Sequence, residues 1–254
     1  MTASVFDSPM FTKLYPVGEA GRLFTHSAEI RAALLVLGTL AKVQGTRSDI
    51  PEDSAFFIHR SSMEVQIDPA GLADGVAQDG NYIPALVAAF DKAMEAPEHS
   101  QHLLHNTDPQ DVADTALMLR LRQLLTLTET ALTTLPDSDR RAALLSDLPA
   151  IRETCLRVAF TAAPDIGAAI ADTLKLGAPQ DPRSAIRTIA NWLTLTADLA
   201  AEAAPNTPTN GALRAHLIGL NALFQDTADI ASEPLYLPQI ALSSQSLLVQ
   251  ATAT

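Results

Sequence analysis

The sequence predicts an all-α protein, with a small N-terminal helical lobe followed by an elongated multi-helix bundle. Three observations carry this reading. Aromatic residues make up only 5% of the 254, while Ala, Leu and Thr dominate, a balance that suits helices packed on helices better than sheets. Apolar residues recur at three- and four-residue steps along most of the chain. Finally, Gln110 to Leu135 contains neither Gly nor Pro, and an unbroken helix of that length extends about 39 Å at 1.5 Å per residue, which suits a bundle.

Each element follows from its own residues. From Ser27 to Val43, Ile30, Ala33, Leu34, Leu37, Leu40 and Ala41 form a helical stripe that Gly45 can end. Further helices are expected over Pro51–His59, Leu72–Val76 and Ile83–Met94, with a turn at Gln78-Asp79-Gly80-Asn81. The segment from Ala96 to Asn106, with Pro97 and three histidines, reads as a connection into the core. In the long helix, Leu117, Leu121, Leu124, Thr128 and Ala131 form one stripe, which Leu119, Leu125 and Leu127 widen. Pro136-Asp137-Ser138-Asp139 ends it. A helix then runs from Arg140 to Phe160, and a short one from Ile166 to Leu176 stops at Gly177. Asp181-Pro182 launches Arg183–Ala204, with Ile186, Ile189, Trp192 or Leu193, Thr196 and Leu199 on one face, and Pro205 to Gly211 breaks it. Ala212–Ile230 and Pro238–Val249 complete the chain. The division expected is 1–106 for the lobe and connection and 107–254 for the bundle.

Composition narrows the function. With 47% hydrophobic residues the chain can bury a substantial core. Seventeen basic against 29 acidic residues give a net charge of −12, and no Lys/Arg cluster interleaved with aromatics appears, so nucleic acid is not an expected partner. No stretch approaches the roughly 20 apolar residues that a membrane span needs, and Met1 to Lys13 lacks the pattern of a secretion signal. The lone Cys155 cannot form an intramolecular disulfide. A soluble, cytoplasmic protein is expected.

The run from His105 to Arg122 is the most informative. Asp108, Pro109 and Asp111 make a strong helix start, with an acceptor at the N-cap, proline at the first helical position and a carboxylate in the first turn. A helix N-terminus is a ready anion site, because its N–H groups and the positive end of the dipole point outward. An aspartate there supplies its own anion and repels an incoming carboxylate.

Gln110, Asp111, Asp114, Thr115, Leu117, Leu119 and Leu121 fit the start of the long core helix of the fumarase/aspartase superfamily. The chain is most similar to the 3-carboxy-cis,cis-muconate cycloisomerases, which read Gly-Ala-Thr-Ser-Gln-Asp before such a run. The Ser8 to Phe11 segment with the Ala28–Lys42 helix, the Gly75–Pro84 turn, Leu237–Ile240 and Ser246–Val249 resemble other family segments in the correct order. This implies a helical bundle of the fumarase/aspartase type, a homo-oligomer and an isomerase ancestry in aromatic-acid degradation, without a cofactor. The departures are equally specific. The family's Thr-Ser pair falls on Asp108 and Pro109. Its Gly-rich loop, carrying the catalytic serine and a substrate-binding lysine, falls on Ala203 to Asn210, where Pro208 and Asn210 alone resemble it. A Thr-Arg-Met-Gln-like stretch has no counterpart in Pro136 to Arg140, and Gln-Arg-Asp is represented only by Arg183.

The family mechanism needs a base, donors for the carboxylates and a closing loop together. The expectation is therefore a degenerate relative, with lost or altered catalysis, that acts by association through the apolar stripe from Leu117 to Leu132. Its partner is another copy or an active homologue. The alternative is an active cycloisomerase or lyase on a small carboxylate. In that case His105 and Asp108 are the catalytic candidates and Asn106, Thr107, Arg183 and Asn210 bind substrate; a ligand sensor using the remodelled cleft is a third reading. Other constellations carry less. His99, His102 and His105 step 300° apart on a helix and do not converge on one metal. Ser243, Ser244 and Ser246 lack a nucleophile elbow, Gly71 and Gly75 make no phosphate loop, and Cys155 reads as a buried small residue.

Overall fold

A computed structural model of the protein describes residues 4–206, 209–227 and 230–253. They contain twelve α-helices: α1 (Ala20–Leu23), α2 (His26–Thr46), α3 (Glu52–Glu64), α4 (Ala73–Asp79), α5 (Tyr82–Met94), α6 (Pro97–Ser100), α7 (Pro109–Thr134), α8 (Asp139–Cys155), α9 (Pro164–Leu174), α10 (Arg183–Ala203), α11 (Asn210–Asp226) and α12 (Glu233–Thr252). Among the described residues no strand forms; the only sheet-like pairing is an isolated bridge between Arg157 and Gly177. The all-α expectation holds. No helix among them is long and apolar enough to cross a membrane.

The chain forms two compact units. The first comprises Met1–Phe24, Arg122–Cys155 and Arg183–Thr254, the second Thr25–Leu121 and Leu156–Pro182. Both are discontinuous in sequence. The boundary expected between residues 106 and 107 falls inside the second unit, because the first half of α7 packs there with the helices that precede it.

In the second unit the α2 stripe, Ile30, Leu34, Leu37 and Leu40, is buried with Ile83, Leu86 and Phe90 of α5 and Val112, Ala116 and Leu119 of α7. α3 lies close along α2, where Gly38 meets Ser62 and Gly45 meets Ala55 at separations that leave no room for a Cβ. The helix expected to continue to Phe160 stops at Cys155. Residues 156–180 instead exchange backbone bonds: Gly177 N–H donates to Leu156 O (2.8 Å), Val158 N–H to Gly177 O (3.2 Å) and Gln180 N–H to Val158 O (2.9 Å). Gly177 allows this approach, since a Cβ there would lie 2.7 Å from Arg157 Cγ. It does not cap α9; Lys175, at φ +56°, takes the left-handed C-cap.

In the first unit, α10 buries Ile186, Ile189, Trp192, Leu193, Ala197 and Ala200, and Trp192 Nε1 donates to Leu144 O of α8 at 3.1 Å. Of the face expected, Leu199 is only half-buried. α12 starts five residues earlier than expected, so Pro238 lies inside it, and its residues 240–248 are all buried. The serine patch is thus a core helix face: Ser243, Ser244 and Ser246 are fully buried, and Gln245 Nε2 donates to Thr128 Oγ1 at 2.6 Å. α8, α10 and α11 share a network of charges. Arg140 meets Asp198 at 2.5 Å and Glu202 at 2.9 Å, while Arg214 meets Asp198 at 2.5 Å and Glu202 at 3.3 Å. Cys155 is buried, as its helical setting suggests.

Candidate functional site

The segment leading into α7, in the second unit, is held in one conformation by several bonds. Leu104 and Asn106 both take positive φ, +52° and +50°, a conformation that costs a side-chain-bearing residue about 1 kcal/mol or more. Between them, the carbonyl of His105 accepts from Gln44 Nε2 at 2.7 Å and from Thr107 Oγ1 at 3.0 Å. Gln44 is only 1% exposed, so it is a rigid anchor from α2. The Asn106 amide lies 3.0 Å from His105 Nε2.

α7 then begins at Pro109, as the Asp-Pro signal requires. Asp108 Oδ1 accepts from the Gln110 N–H at 2.8 Å. The carboxylate therefore faces the helix start and occupies one of its outward amides. Beyond it, a chain of amides and acids runs inward. Asn81 caps α5 by accepting from Ile83 N–H at 2.9 Å and donates to Gln110 Oε1 at 3.0 Å; Gln110 Nε2 donates to Asp114 Oδ1 at 2.8 Å. One turn and a half further along, Arg120 pairs with Glu29 of α2 at 2.8 Å.

Asp108, Asp111 and Asp114 follow at three-residue steps, so neighbours in the series lie about 60° apart around the helix while Asp108 and Asp114 diverge by about 120°. Partial burial, with the charges of Asp108 and Asp114 added, pushes the Asp111 carboxyl up to about 6. The buried hydroxyl of Tyr82 makes no hydrogen bond among the described residues. Burial raises it well above the ordinary tyrosine range; Glu29 adds to this, Arg120 opposes it and Asp114 adds again.

The six residues picked from the sequence separate into two groups. His105, Asn106, Thr107 and Asp108 lie together in the second unit, each bonded to a neighbour in the segment. Arg183 and Asn210 lie in the first unit. There Arg183 pairs with Glu233 at 2.5 Å, both largely buried, and Asn210 Nδ2 donates to Ala201 O (2.8 Å) and Ala204 O (2.7 Å), closing the C-terminal end of α10. Pro208 lies outside the described residues. Of the three histidines, His99 stacks on Phe57 at 4.6 Å and lies 3.1 Å from Ser54 Oγ, so it is a packed residue. Among the described residues no group of three His, Cys, Asp or Glu is placed to hold a metal ion.

Sequence reasoning missed Gln44, Asn81, Tyr82 and the Glu29–Arg120 pair. Gln110 and Asp114 at i, i+4 carried a local signal; the others meet across long sequence separations and carried none.

No family model matches the chain. A 3-carboxy-cis,cis-muconate cycloisomerase of Pseudomonas putida is 28% identical over 161 residues, 62% of this chain and 37% of that protein, so the matched stretch spans little more than a third of the relative. Three solved structures share the fold. A 3-carboxy-cis,cis-muconate lactonizing enzyme from Pseudomonas putida superposes with a TM-score of 0.86 at 18% identity, covering 96% of this chain and 75% of its own. A β-carboxy-cis,cis-muconate cycloisomerase from Acinetobacter calcoaceticus gives 0.82 at 17%, covering 96% and 76%. A fumarate lyase from Mesorhizobium gives 0.77 at 17%, covering 92% and 73%. The resemblance read from the sequence is met by a sequence match to a cycloisomerase and by a fold shared with solved cycloisomerase and fumarate lyase structures.

Proposed function

We propose, from that kinship, that the protein is a degenerate relative of 3-carboxy-cis,cis-muconate cycloisomerase whose ancestral chemistry is lost or altered and which acts by oligomeric association, with itself or with an active homologue. The single observation that carries this reading is the Asp108 carboxylate turned onto the Gln110 amide. A helix start that the family pattern furnishes with hydroxyls is filled here by an internal anion. The remaining polar groups support it: the Thr107 hydroxyl is spent on the His105 carbonyl, and Arg183 and Asn210 serve an ion pair and a helix end. A cytoplasmic location is consistent with this reading, since the one cysteine is a free, buried thiol and no disulfide framework is called for.

The alternative is an active cycloisomerase or lyase on a small carboxylate, in protocatechuate degradation. It draws on the partly buried Asp111, whose carboxyl burial and the charges of Asp108 and Asp114 push up to about 6. Purified protein assayed with 3-carboxymuconate and fumaryl substrates separates the two. No turnover, with a defined oligomer by light scattering, is expected; turnover that Asp108→Ala abolishes would overturn the association reading.

A further inference from the structure

We propose that the connection entering α7, residues 101–108, is a proton-operated latch, shut while Asp111 is neutral and loosened when Asp111 ionises. The latch is independent of the association reading above. It has two parts, a strained segment and a charge cluster that decides whether the strain is held. The segment bends through two left-handed residues, Leu104 and Asn106, a conformation that side-chain-bearing residues keep only where their surroundings enforce it. Few bonds do so here. Gln44 Nε2 and Thr107 Oγ1 donate to the His105 carbonyl, the Thr107 N–H donates to Leu104 O at 3.1 Å, and the Asp108 carboxylate takes the Gln110 N–H. Apart from Gln44, every one of these partners lies in the segment or in the first turn of α7, so the segment is fastened chiefly to the helix head.

That head carries three carboxylates in less than two turns. Asp111 stands between Asp108 and Asp114, about 60° around the helix from each. Gln110 holds both neighbours as acceptors, its N–H donating to Asp108 and its side-chain amide to Asp114, each at 2.8 Å. Asp111 itself has neither an ion pair nor a side-chain hydrogen bond among the described residues. The elements packed about the head do not relieve it. Glu29 of α2 is a further acid and takes Arg120 at 2.8 Å, Tyr82 of α5 stays a neutral hydroxyl, and His105 turns Nε2 to the Asn106 amide. The helix dipole favours a carboxylate in the first turn, but Asp108 already occupies an outward amide. Burial and the two like charges prevail, pushing the Asp111 carboxyl up to about 6. In an opened segment it titrates near about 3.9. From about pH 4 to about pH 6 the shut form therefore keeps a proton that the open form has released, and its advantage falls as pH rises through that window. At neutrality the three charges repel, and the turn at Leu104 and Asn106 is free to relax, taking His105 and Thr107 with it.

Amide hydrogen exchange of the full chain at about pH 4.5 and about pH 7, each rate divided by the intrinsic rate at that pH, reads the latch directly. Thr107, Gln110 and Asp111 report on it, since their N–H groups bond to Leu104 O, Asp108 Oδ1 and Asp108 O. The expected result is roughly fivefold lower protection of these amides at the higher pH, the full linkage being reduced by solvent at a partly exposed carboxyl, while α2 and α5 keep theirs. Asp111→Asn cannot ionise and should hold the shut form at both pH values. Gln44→Leu, which removes the anchor from α2, should lower protection at both. Wild-type protection that does not change with pH would overturn the latch. So would a pH response that survives in Asp111→Asn, which would assign it to another group such as His105. A loss spread evenly over the second unit would overturn it as well, being a global destabilisation and not a local opening.

Discussion

Replacing Asp111 by Asn probes the charge cluster at the head of α7. In the folded protein the Asp111 carboxyl titrates near 6, against about 3.9 in an unfolded chain. Between those values the native state holds a proton that the unfolded state has released, so stability falls as pH rises from about 4 to about 6. At about 1.4 kcal/mol per pH unit the full gap is worth roughly 3 kcal/mol, which solvent screening at a half-exposed group reduces to about 1 kcal/mol. Asn does not titrate. Urea unfolding of both proteins at pH 4 and pH 7.5 should therefore give a stability difference, variant minus wild type, that is about 1 kcal/mol more positive at the higher pH. A difference that stays flat, or moves the other way, would refute the claim that burial and the flanking carboxylates oppose ionisation of Asp111.

Asp108→Ala should cost about 1 kcal/mol of stability through loss of the cap on Gln110, read by thermal unfolding; a neutral effect would mean that the carboxylate does not satisfy the helix start. Tyr82→Phe should be neutral or stabilising by up to about 1 kcal/mol, since the buried hydroxyl it deletes has no partner, and a clear loss in urea unfolding would reveal one. Asp198→Ala should destabilise by about 1 kcal/mol by opening the pairs with Arg140 and Arg214. Those hydrogen bonds hold the Asp198 carboxyl below its ordinary range against the opposing effect of burial. Its contribution is thus complete above about pH 4 and lost only in stronger acid, so a variant that differs from wild type at pH 2 as much as at pH 7 would contradict the pairing.

How much was legible in advance depends on sequence distance. The long helix announced both its start, through Asp108-Pro109, and its extent, through 26 residues free of Gly and Pro, because caps and breakers act locally. The α2 stripe was likewise readable from its period and matches the buried residues of that helix. The failures came where tertiary context overrode local preference. Residues 156–160 carry a helical pattern but find backbone partners around Gly177, and Pro238 reads as a helix start yet sits inside α12, where one missing amide is tolerated by a helix whose other faces are buried. At the site, the cap on Gln110 was visible in the residues themselves. The anchoring of His105 by Gln44, 61 residues away, was not, because no periodicity records which distant amide meets which carbonyl.

The patchwork order of the first unit bears on how the chain is made. Its middle segment, Arg122–Cys155, leaves the ribosome well before α12, the helix whose residues 240–248 lie wholly inside that unit. At about 5–20 residues per second, the gap amounts to roughly 5–20 seconds during which Leu124, Leu132 and Leu148 have no final shelter. Nascent chains stalled before Glu233 should accordingly recruit chaperones or aggregate, whereas the bulk of the second unit is by then already complete.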